Sequence, residues 1–303
     1  MLEKLIKWRE QNLSRVPFYD RTLLRKYLEV LGVASTIVAL LAFVGISQGY
    51  AVNFMGLTFL FFILLGAIFF YMWWSANRIQ CVNLKINNTK VHIAEGDIWS
   101  LYEKEPEDRK GEITVITVND FFDTIVDDRI IASQSLHGQY MTKITKAGKL
   151  SKLNRTIETN EILNKPENHE DVPQRKAGKK VRYPIGSLVE FESHVLAVFS
   201  KFDENNKSVI TTQEYTDFWM KFWQNIDNVY AGRTINIPLI GAGIARFRSG
   251  KPSKQELLET ILWTLKISGF HNTYSDKQIN IVIYPSDVDE IDFYGTQNSL
   301  KFK

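Results

Sequence analysis

The sequence predicts an α/β protein in which a two-helix membrane hairpin precedes a layered, largely parallel α/β domain. Three observations carry that expectation. Residues 30–77 contain no Asp, Glu, Lys, Arg or His. That stretch divides at Ser47-Gln48-Gly49-Tyr50 into two apolar runs. Downstream, short β-branched runs alternate with segments of helical periodicity.

As helices, residues 30–47 would span ~27 Å and residues 54–74 ~31 Å, at ~1.5 Å per residue. A bilayer core is ~30 Å thick, so both runs reach across it. Tyr71, Trp73 and Trp74 close the second run, as aromatic side chains do at a headgroup boundary. A buried hairpin in a soluble core is the competing reading of two such runs. The leader, residues 1–26, carries Lys4, Lys7, Arg9, Arg15, Arg21, Arg25 and Lys26 against Glu3, Glu10 and Asp20. Arg78, Lys85 and Lys90 follow the hairpin of residues 27–77, and its turn is uncharged. Positive flanks on both sides predict a multi-pass protein with its N-terminus and its large domain in the cytoplasm. A cleaved signal peptide is not expected, because the apolar run starts late, is long and is followed at once by another. Leu2, Leu5, Ile6 and Trp8 among the leader's lysines fit either an interfacial helix or a solvated basic segment.

About 225 residues follow the hairpin, enough for one large domain with its own core. The formal charge of +3 is small and dispersed, which gives no reason to expect a nucleic-acid partner. Cys81 is the single cysteine, so neither an intramolecular disulfide nor a cysteine-based zinc site is possible. Its position just past the second span predicts a packing residue. No tight His/Asp grouping suggests another metal site or a resident cofactor.

Five strands are predicted: Val91-His92-Ile93-Ala94, Ile113-Thr114-Val115-Ile116-Thr117-Val118, Val195-Leu196-Ala197-Val198-Phe199, Thr234-Ile235-Asn236-Ile237-Pro238, and the run from Ile279 to Tyr284. Two helices separate the last three. Thr211 with Glu214 has capping-box spacing and precedes Tyr215, Phe218, Trp219, Phe222, Trp223 and Ile226 at helical intervals. Ser253 with Glu256 repeats the signal before Leu257, Leu258, Ile261, Leu262 and Leu265. The aromatic stripe reads as core. Residues 141–180 are Lys-, Asn- and Glu-rich and end in Arg175, Lys176, Lys179 and Lys180. They predict a solvated surface insertion with a short helix near Asn160–Leu163.

Ligands of open α/β sheets sit beyond the carboxyl ends of the strands. Three segments fall there: Gly96-Asp97-Ile98, the stretch from Asn119 to Ser135-Leu136-His137-Gly138, and Pro238-Leu239-Ile240-Gly241-Ala242-Gly243-Ile244-Ala245-Arg246. Glycines at 241 and 243 let main-chain N–H groups approach a ligand as an anion nest, although Gly-x-Gly by itself fits a tight structural turn equally well. A carboxylate at Asp97 can accept from an exocyclic amine. The pair suits an adenine nucleotide with a diphosphate. His137 fits ligand contact and turn packing equally, while Asp127-Asp128 and Asp287-Val288-Asp289-Glu290 read as solvated or loop-capping carboxylates rather than catalytic ones.

Gly96-Asp97-Ile98 after an early strand and Pro238-Leu239-Ile240-Gly241-Ala242-Gly243-Ile244 after a late one resemble the macro domain, a binder of ADP-ribose. Asn119-Asp120-Phe121-Phe122-Asp123, Ser135-Leu136-His137-Gly138 and Tyr183-Pro184-Ile185-Gly186-Ser187 resemble a narrower group, the transmembrane macro-domain effectors of the type II bacterial Thoeris anti-phage system. The resemblance implies a three-layer α/β/α domain over residues 83–303 and a bacterial cell membrane. It implies that Asp97 and Ile98 hold adenine, and that Gly241, Ala242, Gly243 and Ile244 wrap the diphosphate. Asn119, Ser135, Leu136, His137 and Gly138 would add further ligand contacts, with the Ser135–Gly138 turn lying across the phosphates. The signal would be an ADP-ribose derivative, histidine-ADP-ribose, made by a TIR-domain protein, and the response a homo-oligomeric assembly that disrupts the lipid bilayer in abortive infection. Hydrolytic macro domains carry an Asn-rich first loop and a glycine run, whereas this chain has Asn119-Asp120-Phe121-Phe122-Asp123 and Asp127-Asp128. A receptor without catalytic residues is therefore expected. The competing readings are a membrane-anchored ADP-ribosyl hydrolase or phosphoesterase, and a passive scaffold.

Overall fold

The structure, a computed structural model, describes residues 15–47, 54–101, 111–203, 206–248, 250–270 and 278–299. Most of the basic leader and Gln48-Gly49-Tyr50 of the expected turn lie outside the described residues. The chain divides into two compact units, Met1–Gln80 with Asp292–Asn298, and Cys81–Ile291 with Ser299–Lys303.

In the first unit, helix α1 (Arg21–Ser47) begins well before the uncharged run because Asp20 caps it. The Leu23 N–H donates to Asp20 Oδ1 at 2.8 Å, which satisfies one of the orphan donors of the first turn. Helix α2 (Phe54–Asn77) follows. Both are long and apolar enough to cross a membrane, and little of either is buried. Leu41, Phe43 and Phe59 are each about 70% exposed, which is not how the core helix of a soluble protein lies. The Tyr27 hydroxyl donates to the Leu65 carbonyl at 3.2 Å, and its ring meets Phe69 edge-on at 5.0 Å. At the base, buried Asn77 accepts from the Val16 N–H at 2.8 Å and donates to the Trp73 and Val16 carbonyls at 2.9 and 3.2 Å. Its amide is thereby satisfied, as a buried polar group must be. The C-terminal helix Phe293–Asn298 joins this unit, with Tyr294 packed among Val16, Leu23 and Ala76. Lys26 lies 5.4 Å from the Tyr294 ring and donates to Asn298 Oδ1 at 2.5 Å.

The second unit is built on a seven-stranded mixed sheet. Its strands are β1 (Cys81–Ile86), β2 (Thr89–Glu95), β3 (Glu112–Asn119), β6 (Leu188–Phe191), β7 (His194–Ser200), β8 (Thr234–Pro238) and β9 (Gln278–Ile283), while β4 (Glu170–Asp171) and β5 (Val181–Arg182) pair separately. The spatial order is β1-β2-β9-β8-β3-β7-β6. β2, β9, β8, β3 and β7 run parallel, and the two edges are antiparallel hairpins. Each predicted strand is present. The hairpin partners β1 and β6 extend the expectation; Asn87 and Asn88, both at positive φ, make the two-residue turn that joins β1 to β2.

Helices α3 (Leu136–Lys146) and α4 (Leu150–Glu158) cover one face, and α5 (Thr212–Ile226) and α6 (Lys254–Ile267) are the other α-helices among the described residues of this unit. Strand alternation decides which residue meets which layer. Ile116, Val118, Leu196 and Val198 pack with Tyr140, Met141, Leu153 and Ile157. Phe199 points the other way, meeting Tyr215 and Phe218 of α5 at 6.1 and 5.0 Å. Both expected capping boxes are complete, and the stripe from Tyr215 to Ile226 is buried.

Three expectations are corrected. Residues 141–180 are not a solvated insertion: they supply most of α3, all of α4 and the buried Leu153, Ile157 and Leu163, and Asn160 opens a turn rather than a helix. Arg175 is 1% exposed and lies 3.7 Å from the centre of the Phe121 ring. It donates to both oxygens of Asp123, at 3.1 and 2.7 Å. Burial of this charge is tolerated because the pair is bidentate and further bonded. Cys81 is exposed on an edge strand rather than packed, since the β1 alternation turns Val82, Leu84 and Ile86 inward.

Candidate functional site

A cleft of ≈ 1160 Å³ opens at the carboxyl ends of the parallel strands. Its walls come from the segments after β2, β3, β7, β8 and β9. Asp97, Ile98, Asn119, Ser135, Leu136, His137, Gly241, Ala242, Gly243 and Ile244 all line it, whereas Gly138 does not.

Asp97 ends the β2 excursion and caps the 3-10 turn Ile98–Leu101. Its Oδ1 accepts the Trp99 N–H at 2.9 Å, and among the described residues Oδ2 makes no bond. Trp99 is held in turn, its Nε1 donating to Gln139 Oε1 at 2.6 Å. The carboxylate is therefore exposed but fixed in orientation by its own turn.

Opposite stands the loop after β8. Gly241 has φ +90°, and a Cβ there would lie 3.2 Å from the Tyr215 ring. The Tyr215 hydroxyl donates to the Ile240 carbonyl at 2.8 Å, so this aromatic both floors the loop and fixes it. The Ala242 N–H turns inward to the Leu239 carbonyl at 3.2 Å. Those of Gly241, Gly243 and Ile244 make no hydrogen bond among the described residues. A Cβ on Gly243 would meet nothing within 4 Å, so the loop opens toward free space there.

The third wall follows β3. Asn119 lines the cleft, yet its amide serves the loop: Nδ2 donates to Asp123 Oδ2 at 2.8 Å, and Oδ1 accepts the Phe121 and Asp123 N–H groups at 3.3 and 3.1 Å. Ser135, expected in a turn, is the N-cap of α3, with its hydroxyl accepting the Gly138 N–H at 2.9 Å. What the wall presents is thus a helix N-terminus, the end that favours anions. Gly138 is required for packing, since a Cβ would lie 2.2 Å from the Ala132 carbonyl oxygen. The His137 Nε2–H donates to the Asp123 carbonyl at 2.9 Å. Burial pushes its pKa down to about 4, so the ring is neutral near pH 7. Asp127 and Asp128 cap their own loop, accepting from Arg129, Ile130 and Ser133 N–H groups. Lys254 bridges Asp287 and Glu290 at 2.7 and 2.8 Å.

Several lining residues were missed by the sequence reading. Tyr284, directly after β9, is 55% exposed, and Trp99 follows Ile98. An aromatic closing an apolar strand at its carboxyl end was the available signal. Lys207 and Arg246 add positive charge to the lining. Among the described residues no group of three His, Cys, Asp or Glu side chains is arranged to hold a metal ion.

Asp120, behind the wall, gives a test of its electrostatics. It accepts from Arg182 Nε at 2.9 Å and from the Phe202 N–H at 3.1 Å. Burial outweighs both and pushes its pKa up to about 6. The folded chain then holds more protons than the unfolded one between that value and the ordinary 3.8. The stability from this group rises as pH falls through 6 and is complete below 3.8. From pH 7 to pH 5 it amounts to about 1 kcal/mol. Asp120→Asn is expected to remove that increment, measured by chemical denaturation at the two pH values; equal pH slopes for both chains would refute it.

The family described as "Thoeris protein ThsA, Macro domain" matches residues 91–284. The Thoeris protein ThsA of Bacillus amyloliquefaciens (strain Y2) is 32% identical over 213 residues, covering 70% of this chain and 68% of that protein. Two mutants of the Oceanobacillus iheyensis macrodomain align at 15% identity with TM-scores of 0.40 and 0.39, over 72% of this chain and 91% and 96% of theirs.

Proposed function

The chain belongs to the Thoeris ThsA macro-domain family, and from that membership and the cleft we propose that it is a membrane effector of anti-phage defence gated by an ADP-ribose-derived signal. The observation that carries this reading is the meeting, in one cleft, of the Asp97 carboxylate and the Gly243 and Ile244 N–H groups, which make no hydrogen bond among the described residues. Asp97 Oδ2 accepts from the exocyclic amine of adenine, with the Ile98 backbone beside it. The Tyr284 ring offers a stacking face to the base. Gly241, Ala242, Gly243 and Ile244 wrap the diphosphate by shape and N–H donation, and the α3 start at Ser135, Leu136 and His137 faces it. Asn119 shapes the far ribose side through the loop it braces.

The signal we propose is histidine-ADP-ribose supplied by a TIR-domain protein, bound and not hydrolysed. The hairpin of α1 and α2 crosses the bacterial cell membrane twice, with the leader and the macro domain on the cytoplasmic side. Ligand binding favours a homo-oligomeric arrangement in which the hairpins disrupt the bilayer. The ligand biases that change only through its differential affinity for the two states. The chain runs from cleft-lining Tyr284, Ser286 and Asp287 to the C-terminal helix grouped with the hairpin, a covalent link between signal and output.

The full chain in detergent, titrated with ADP-ribose and its histidine conjugate and then sized, is the test. Binding of intact ligand with growth in particle mass is expected. Release of free ADP-ribose from the conjugate at catalytic rates would make the protein a hydrolase, and no binding would overturn the reading.

A further inference from the structure

The anion-binding polarity of the loop after β8 is imposed by a residue outside the cleft, and we propose that Lys251 is the positioning residue that sets it. Its Nζ donates to the Ala242 carbonyl at 2.5 Å and to the Gly243 carbonyl at 2.6 Å. In a planar trans peptide the C=O and the following N–H point in opposite directions. Drawing these two carbonyls toward Lys251 therefore turns the N–H groups of Gly243 and Ile244 the other way. Those are the groups that make no hydrogen bond among the described residues. Ala242, Gly243 and Ile244 line the cleft, whereas Lys251 does not.

Glycine at 243 makes such a clamp necessary. Without a Cβ, the peptide on either side of Gly243 has little to restrain it from rotating. An empty cleft would let it turn its carbonyls inward, where they would repel a phosphate. One ammonium with three donors holds two successive carbonyls at once. Lys251 is placed to do so by the chain immediately before Ser253, whose side chain and Glu256 close the capping box of α6. The helix thus anchors the clamp. The ammonium also offsets the carbonyl dipoles on the rear side, leaving the N–H side to dominate the field in the cleft.

The proposal rests on the reading of the cleft as a site for an adenine diphosphate, and its test separates the two. The full chain in detergent is titrated with ADP-ribose directly and with adenosine by competition, for wild type, Lys251→Met and Lys251→Arg. Methionine keeps the length and removes the donors; arginine keeps donors. For Lys251→Met, ADP-ribose affinity is expected to fall about tenfold or more relative to adenosine affinity, with Lys251→Arg recovering part of the loss. The ratio carries the argument, because a collapsed cleft would weaken both ligands together. Repeating the titration at low and high salt tells positioning from bare charge. A clamp that orients N–H groups loses the same factor at both, while a long-range charge effect shrinks with screening. An unchanged ratio, a parallel loss of both ligands, or a defect that vanishes in high salt would overturn the assignment of Lys251 alone. Failure of the wild-type chain to bind ADP-ribose would overturn the functional reading and this inference with it.

Discussion

Asp97→Asn is expected to weaken binding of ADP-ribose ligands by about 10–100-fold while leaving thermal stability near the wild-type value. A hydrogen bond to a charged group contributes roughly 1.5–3 kcal/mol, and each 1.4 kcal/mol is a factor of about ten in affinity. The substitution is informative because the two carboxylate oxygens have different duties. Oδ1 accepts the Trp99 N–H and holds the turn, which an asparagine side-chain oxygen does as well. Oδ2 is the one without a partner among the described residues, and the amide would put an N–H₂ there. That group faces the ligand amine donor to donor. The fold keeps its cap and the site loses its acceptor. Calorimetric titration with a parallel melting curve measures both, and wild-type affinity in a folded variant would sink the assignment of Asp97 to adenine.

Gly243→Leu is expected to abolish ligand binding without lowering the melting temperature, whereas Gly241→Ala should lower it. The two glycines have similar sequence surroundings and opposite physical requirements. A Cβ at 243 meets nothing within 4 Å, so a side chain there enters open space where the diphosphate is proposed to lie. At 241 the backbone holds φ +90°, and a Cβ would lie 3.2 and 3.4 Å from the Tyr215 and Leu257 side chains. An L-residue forced into that region costs roughly 1–2 kcal/mol, worth about 2–8 °C in a domain of this size. Thermal melts and titrations of both variants form the check. A destabilised Gly243→Leu chain, or one that binds normally, would remove the diphosphate from this loop.

The elements most legible in the sequence were those whose signal is local. The complete capping boxes at Thr211–Glu214 and Ser253–Glu256 were readable because hydroxyl and carboxylate satisfy each other within one turn. The parallel strands were readable as β-branched runs because both of their faces are buried. Strand β1 was legible in principle, with Val82, Leu84 and Ile86 alternating before the Asn87-Asn88 turn, but its polar face and its place directly after the hairpin hid it. Helices α3 and α4 were hidden by composition. Their charged, Asn-rich surfaces outweigh the few buried residues that dock them, among them Tyr140, Met141, Leu153 and Ile157.

The site divides along the same line. Asp97 and the glycines at 241 and 243 are visible because their chemistry is in the residue type: a carboxylate, and two positions without a Cβ. The charge-free run of residues 30–77 is equally intrinsic, since a stretch with no ionisable group announces its preferred surroundings wherever it folds. Whether a given polar group is available is not intrinsic, and only tertiary structure decided it. Asn119 reads as a ligand residue until its amide is seen bonded to Asp123, and Arg175 reads as solvated until it closes on that same carboxylate. Hydrogen-bonding capacity is limited, and partners distant in sequence compete for it. The chain fixes which donors and acceptors exist; the packing of strands and helices fixes which of them remain for a ligand.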